Sequence, residues 1–172
     1  PLAVTDTAPA AIAGVMLDPV VQSRDRILIA NIGNYHTLAC RIRRTGEVEG
    51  LFEHHTGEVD QYRMDDLLGT LADSSLRHED VYNDMGHGAL VYDTNPLQLA
   101  TGDNWGVAIS GPRRKMMNNS RFRPYFAVPY GDMMLGGCFG ILRFVAEVLP
   151  EFRSTIMSSL RGSDTMAPWE GG

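Results

Sequence analysis

The chain has 172 residues, a formal net charge of −6 at pH 7, and apolar and charged fractions of 44% and 21%. A chain of this length is typical of one domain, and its composition excludes a disordered protein, which combines low hydrophobicity with high net charge. The acidic balance argues against a protein that holds a nucleic-acid backbone by bulk positive charge, so we expect no nucleic-acid partner.

The first part of the chain predicts a strand, a helix and a hairpin. Leu2–Asp6 is predicted as a short strand. The chain begins without an initiator Met, which predicts that the protein was processed or that the chain is a piece of a longer protein. Ala8–Leu17 is predicted as a helix that ends before an Asp-Pro pair, because proline cannot continue a helix. The apolar run Ile27–Asn31 predicts a strand covered on both faces. Gly33-Asn34 predicts a tight turn into a return strand, His36–Arg43.

A third strand and an amphipathic helix follow. Val48–His54 completes a predicted three-stranded antiparallel meander. Val59–Leu71 is predicted as a helix with Tyr62 on its apolar face, and with Asp65 and Asp66 facing solvent.

The remaining elements predict further strands and helices. They are a short apolar run at Ala89–Tyr92, strands at Trp105–Ser110 and Tyr125–Pro129, and helices at Asp132–Leu149 and Ser154–Leu160. A meander followed by alternating helices and strands predicts an α/β fold with a mixed sheet flanked by helices. Three meander strands extended by parallel strands is the order of the ribonuclease-H-like fold. We predict one domain over residues 1–150, then a C-terminal helix and a frayed tail over residues 151–172.

The number of cysteines and the hydropathy pattern indicate the cellular compartment of the protein. The two cysteines, Cys40 and Cys138, are too few for a disulfide framework. The longest apolar stretch, Met133–Leu149, is too short and too charged to cross a bilayer, and no signal peptide is visible. We therefore expect a cytoplasmic protein with no membrane partner.

Two glycine-containing turns are candidate nucleotide-binding sites. At Gly33, Asn34, His36 and Thr37, a hairpin after a buried strand could cradle a phosphate with its backbone N–H groups. At Gly111, Arg113 and Arg114, glycine would let a ligand approach the backbone, and the following helix start favours an anion. A plain β-turn and an ordinary strand-to-helix loop are the alternatives.

Histidines next to carboxylates are the candidate metal ligands or acid–base groups. His54 and His55 are adjacent and alternate faces if both are still on the strand. His87 lies with Asp84 in a glycine-bearing loop, and His36 lies in the first hairpin. Imidazoles and carboxylates could bind a divalent metal or transfer a proton, although ordinary hydrogen-bonded histidines are the alternative.

The start of the last long helix is rich in glycine. Gly136, Gly137 and Gly140 lower its intrinsic stability, since each glycine costs about 1 kcal/mol relative to alanine. This cost indicates close packing of another backbone or of a ligand. Asp132 is placed where it could cap the helix.

Several phrases of the sequence together resemble a prokaryotic family that carries the label pyruvate formate-lyase-activating protein. The resemblance extends from about Val4 to Leu149 and rests on the combination of phrases. The phrases are NIGNYHTLA, GLFEHHTG, VYNDMGHGA, ISGPRR and PYGDMMLGGCFGIL. A radical-generating activase would need a three-cysteine cluster, whereas this chain has two cysteines.

This family in turn resembles the superfamily of actin, sugar kinases and heat-shock chaperone ATPases, in which two ribonuclease-H-like lobes hold ATP between them. The resemblance implies that this chain is an actin-like ATPase second lobe, with ATP and Mg²⁺ as cofactors and a missing N-terminal lobe as partner. Asn31–Thr37 would form the second phosphate-binding hairpin. Gly111 would form the turn that touches the adenosine, and Gly136–Gly140 would begin the last helix near the nucleotide.

One residue departs from the superfamily pattern. The superfamily usually has an aspartate where this chain has Asn31, which can neither act as a base nor supply negative charge. The resemblance therefore predicts nucleotide binding more firmly than hydrolysis. If the protein is catalytic, we expect an ATP-dependent phosphotransferase or ATPase in which Asp84, His87 or Asp132 orients the nucleophile.

Two other functions stay open. One is a metal-dependent hydrolase that uses His54, His55, Asp84 and His87. The other is a non-catalytic regulatory or assembly module. A lobe separated from its partner would expose an apolar face, which a homodimer would cover.

Overall fold

The computed structural model describes residues 2–99 and 106–160, so Trp105 and the predicted frayed tail over residues 162–172 lie outside the described residues. The strands are β1 (Arg26–Ile32), β2 (His36–Arg43), β3 (Val48–His55), β4 (Gly88–Val91), β5 (Val107–Ser110) and β6 (Tyr125–Phe126). The α-helices are α1 (Thr7–Val15), α2 (Pro19–Gln22), α3 (Gln61–Asp73), α4 (His78–Tyr82), α5 (Gly136–Val148) and α6 (Pro150–Leu160). Three short 3₁₀ turns lie at Thr56–Glu58, Arg114–Met117 and Pro129–Gly131.

The six strands form one mixed sheet in the order β4-β3-β2-β1-β5-β6. Strands β1 to β4 pair in an antiparallel way, and β5 and β6 extend the sheet in parallel beside β1. The predicted mixed α/β sheet with an antiparallel meander is therefore confirmed. Parallel β1 and β5 end at the same edge of the sheet, which is where the candidate site lies.

Helices cover both faces of the sheet, and each face has its own apolar core. On one face, Phe52 and Leu28 pack against Leu68 of α3. On the other face, Ile29 and Ile42 pack in a cluster with Val15 of α1. The central strand β1 is buried on both faces, as its continuous apolar sequence predicts.

Helices α1 and α5 pack with their backbones in close contact. A Cβ atom on Gly14 would overlap the carbonyl oxygen of Gly136, and a Cβ atom on Gly140 would overlap the carbonyl oxygen of Ala10. Another backbone, rather than a ligand, therefore explains Gly140, whereas Gly136 contributes only its carbonyl oxygen to the contact and a Cβ atom on Gly137 would meet no atom within 4 Å. This contact fixes the position of α1, whose amino end reaches the candidate site.

A network of buried ion pairs connects the strands at the end of the sheet opposite the candidate site. Arg41 is fully buried, and its Nε lies 3.2 Å from Glu49 Oε2. Arg26 and Arg43 also pair with Glu49, each at 2.8 Å. The guanidinium of Arg41 donates to the carbonyl oxygens of Leu71 and Ala72 at the end of α3. The network thus ties three strands to one helix.

Several element predictions are wrong. Residues Leu2–Asp6 form no strand, and Leu2 and Val4 are almost fully exposed. Tyr62 faces solvent, whereas Asp65 is buried and accepts a hydrogen bond from Ser120.

The predicted C-terminal helices have shifted bounds. Helix α5 begins at Gly136 rather than at residue 132, and α6 begins at Pro150. Within the described residues, no helix has both the length and the hydropathy that a membrane span requires.

Candidate functional site

The two predicted glycine turns meet at the carboxyl edge of the parallel strands. Asn31 of β1 pairs with Ser110 of β5, and the turns follow directly after these strands. The backbone N–H of Arg113 donates to the carbonyl oxygen of Ile32 at 3.0 Å. Gly111 has a φ of 97°, and a Cβ atom there would overlap the same carbonyl oxygen, so this close approach requires glycine.

The hairpin between β1 and β2 presents free backbone donors. Gly33 N–H donates to the carbonyl oxygen of His36 at 3.0 Å and closes the turn. Asn34 and Tyr35, at the tip, are exposed, and their N–H groups meet no backbone acceptor in the part of the chain that the structure describes. Thr37 does not contribute, because its hydroxyl is buried in a 2.9 Å hydrogen bond with Thr56. The tip is therefore free to donate to an anion.

A cleft of about 700 Å³ opens beside this hairpin. Its walls are the hairpin, the amino end of α1, and side chains from the neighbouring strands. The lining residues are Asp6, Thr7, Ala8, Asn31, Gly33, Asn34, Tyr35, His36, Glu53 and His87. The cleft thus joins the predicted phosphate hairpin to two of the candidate histidines.

Three histidines cluster at this end of the sheet. One ligand nitrogen from each of His36, His55 and His87 lies within 4.8 Å of the others. The Nε2 atoms of His55 and His87 are 2.9 Å apart. His36 Nδ1 lies 2.9 Å from Glu53 Oε1, and His55 Nδ1 lies 2.6 Å from the carbonyl oxygen of Met85. This histidine triad is half-exposed at the rim of the cleft.

Three neighbouring strand ends bring the triad together. His36 on β2 lies directly opposite His55 on β3, so their side chains share a face. His87 comes just before β4, and its backbone N–H donates to the carbonyl oxygen of Glu53 at 2.9 Å. Glu53 precedes His55 by two residues and therefore lies on the same face. Sequence reasoning grouped His55 and His87 with His54 and Asp84 and did not include His36 in that metal set, because the convergence of the triad depends on strand register.

His54 and Asp84 lie on the opposite face of the sheet. His54 is fully buried, and its Nε2 is 3.5 Å from Asp84 Oδ2. Arg63 of α3 donates to the same Asp84 oxygen at 2.5 Å. This hydrogen bond lowers the pKa of the Asp84 carboxyl, which makes it a weak proton acceptor at neutral pH. The predicted set of His54, His55, Asp84 and His87 is therefore divided between the two faces.

The other predicted site residues lie away from the triad. Asp132 accepts from the backbone N–H groups of Met134 and Leu135, just before α5 begins. Gly136 packs against α1. Gly137 has open space around its Cα, and neither glycine lines the cleft.

The two arginines after β5 lie beside the hairpin. Arg113 is exposed, and its backbone N–H makes the contact to β1 described above. Arg114 is half-buried in the 3₁₀ turn that follows Gly111. The guanidinium of Arg114 lies 3.5 Å from the carbonyl oxygen of Gly111, and neither arginine lines the cleft.

The fold and site define a mixed α/β protein with a cleft at the carboxyl edge of two parallel strands. The sequence profile of one protein family, described as "Putative pyruvate format-lyase activating enzyme (DUF1786)", matches residues 1–116 of the 172. The chain belongs to this family. The match includes the hairpin, the histidine triad and Gly111. No curated protein and no solved structure match the chain.

The cysteines of this chain do not fit the iron–sulfur cluster of a radical activase. Such clusters are held by several cysteine thiolates, and the chain has two cysteines. Cys40 is buried in the core, and burial raises the pKa of its thiol to about 12. Cys138 is exposed on α5. One inert thiol and one surface thiol cannot together hold a cluster.

Proposed function

We propose that this chain is the nucleotide-binding lobe of an actin-like ATPase or ATP-dependent phosphotransferase. One observation carries the proposal: the hairpin after β1 and the Gly111 turn after β5 contact each other at the carboxyl edge of the parallel strands. Ligands of open α/β sheets bind outside the carboxyl ends of their strands. In both turns, a Cβ atom on the glycine, Gly33 or Gly111, would come within 2.5 Å of a backbone carbonyl oxygen, so a side chain does not fit there.

The strand order supports the same proposal. The five strands β3-β2-β1-β5-β6 combine an antiparallel meander with two parallel strands. This strand order supports a ribonuclease-H-like lobe, to which β4 would add one antiparallel edge strand. In this proposal the N-terminal lobe, as the partner of this chain, supplies the other phosphate hairpin.

The residues that line the cleft are suited to bind the negatively charged phosphates of a nucleotide. Free N–H groups at Asn34 and Tyr35 would donate to phosphate oxygens, as oriented amides do in other anion sites. Mg²⁺ prefers oxygen ligands, especially carboxylates. Asn31 is neutral, so the carboxylates available in the cleft are those of Asp6 and Glu53. Bound Mg²⁺ would neutralise phosphate charge, while the hairpin fixes the position of the phosphates.

Replacing Gly33 with alanine is expected to weaken Mg·ATP binding by about tenfold or more, equivalent to loss of one or two charge-assisted hydrogen bonds. The new Cβ atom would lie 2.5 Å from the carbonyl oxygen of His36, so the hairpin must open and its free donors must move. Isothermal titration calorimetry measures the effect, with thermal melts to show that the variant is folded.

The matched control is Gly57→Ala, because a Cβ atom at Gly57 meets no atom within 4 Å and Gly57 does not line the cleft. Gly57→Ala should bind Mg·ATP like the unmodified chain. Equal affinities for the folded Gly33→Ala variant and the control would contradict the role of the hairpin.

A further inference from the structure

We propose that the histidine triad of His36, His55 and His87 binds a divalent transition-metal ion, with Zn²⁺ as the best match. Three imidazoles are the protein ligands of one common class of open zinc site, in which a fourth position is left for water or a ligand. The three ligand nitrogens already lie within 4.8 Å of one another. The triad would bind its ion through nitrogen atoms, whereas the Mg²⁺ discussed above would take carboxylate oxygens.

The hydrogen bonds around the triad set the ring tautomers for metal binding. The carbonyl oxygen of Met85 can only accept, so the Nδ1 atom of His55 carries the hydrogen. The carboxylate oxygen of Glu53 likewise accepts from Nδ1 of His36. In both rings, Nε2 is then the atom with the lone pair. Orientation of a ligand histidine by a carboxylate or a backbone carbonyl is the usual arrangement around bound zinc.

The spacing between His55 and His87 fits a shared ion. Two nitrogens at 2.0–2.1 Å from a tetrahedral Zn²⁺ lie about 3.3 Å apart. The Nε2 atoms of His55 and His87 are 2.9 Å apart, which in the free protein requires one hydrogen between them. A metal ion would take the place of this hydrogen, which would move to Nδ1 of His87 so that each ring stays a neutral imidazole ligand. A separation change of a few tenths of an ångström needs only small rotations of the exposed His87 ring and the half-buried His55 ring.

Charge and position favour a cation at this point. Two carboxylates, Asp6 and Glu53, line the same cleft as His36 and His87. Of the described residues that line this cleft, none is an arginine or a lysine, and Arg143 lines the neighbouring pocket that shares Asp6 and Glu53. The triad lies at the rim, so the open coordination position would face the cleft and the hairpin. The bound ion would therefore be accessible to an anionic ligand held there.

Calorimetric titration of the untagged full chain with ZnCl₂ tests the proposal. We expect one Zn²⁺ per chain, with affinity reduced by about tenfold or more in His55→Ala and in His87→Ala, and by about tenfold in Glu53→Gln, which orients His36. His78→Ala is the matched control, since His78 is exposed on α4 and stacks on Tyr82 outside the triad. It should leave the affinity unchanged.

Replacing Zn²⁺ with Co²⁺ gives a second measurement, because the visible absorption of bound Co²⁺ depends on its ligands rather than on the folding of the chain alone. The wild-type chain should give visible absorption bands of tetrahedral nitrogen coordination, and His87→Ala should lose them. His87 is exposed in a turn, so its removal leaves the core intact, which circular dichroism verifies. No Zn²⁺ binding by the wild-type chain, or Zn²⁺ binding that persists undiminished in His55→Ala and His87→Ala, would overturn the proposal.

Discussion

Replacing Glu49 with glutamine is expected to lower the free energy of unfolding by about 3–5 kcal/mol, because breaking a buried ion pair leaves an uncompensated charge in the core. Glu49 is the shared acceptor of Arg26, Arg41 and Arg43. Burial lowers the pKa of the Arg41 guanidinium, and the charge of Glu49 opposes that shift. Glutamine keeps the size of the side chain and removes this compensation. Urea unfolding monitored by circular dichroism measures the change.

Glu47→Gln is the matched control for Glu49→Gln. Glu47 also pairs with Arg43, at 3.4 Å, but its side chain is 70% exposed. Exposed pairs contribute about 0–1 kcal/mol, so this variant should unfold close to the wild-type chain. If the two glutamine variants had unfolding free energies within 1 kcal/mol of each other, the buried network would not stabilise the fold as described.

Replacing Gly140 with alanine is expected to destabilise the chain by about 3 kcal/mol, since overpacking a tight contact costs about 1–3 kcal/mol and this one involves rigid backbone. The added Cβ atom would overlap the carbonyl oxygen of Ala10 and approach the nitrogen of Gly14 to 2.8 Å. Helices α1 and α5 would have to separate, which would also move the amino end of α1 at the cleft. Chemical unfolding gives the stability.

Gly137→Ala is the control for the Gly140 variant, because it is the same substitution in the same helix. A Cβ atom at Gly137 meets no atom within 4 Å, so only the helix propensity changes. Alanine is favoured over glycine by about 1 kcal/mol in a helix interior, and Gly137→Ala should therefore keep or raise stability. A Gly140→Ala variant as stable as Gly137→Ala would show that the two helices are not locked by backbone contact.

Local sequence signals predicted the meander well. The bounds of β2 agree with the prediction, because turn residues flank its apolar run on both sides. Strand β1 was recognised from a continuous apolar run that needs cover on both faces. Both signals lie within the strand and its turns, so no distant partner was required.

Features that depend on distant partners could not be read from the sequence. The apolar pattern of Leu2–Asp6 favoured a strand, but these residues pair with none of the six strands and lead into α1, where the Asp6 side chain caps the helix. Asp65 looked solvent-exposed on a helical wheel. It is buried because Ser120 and Arg121, more than fifty residues away, donate hydrogen bonds to it.

The histidine triad depends on a register shift that the sequence does not show. Near the turn, Ile42 pairs with Val48, and unbroken pairing from there would place His36 opposite His54. A β-bulge at Arg41/Ile42 shifts the register by one residue, so His36 faces His55 instead. The same bulge inserts Glu49 beside Arg41. One irregularity therefore determines both the buried ion-pair network and the candidate metal site.

The most direct test of nucleotide binding at the sheet edge is a titration of the ¹⁵N-labelled chain with Mg·ATP, followed by NMR. This measurement detects millimolar binding and reports which amides respond, so a lobe that holds only part of a site still gives a result. We expect the largest shifts at the amides of residues 33–37 and 111–114, which form the two contacting turns. Saturating Mg·ATP that leaves these amides unchanged, or that shifts only residues elsewhere, would contradict the proposed function.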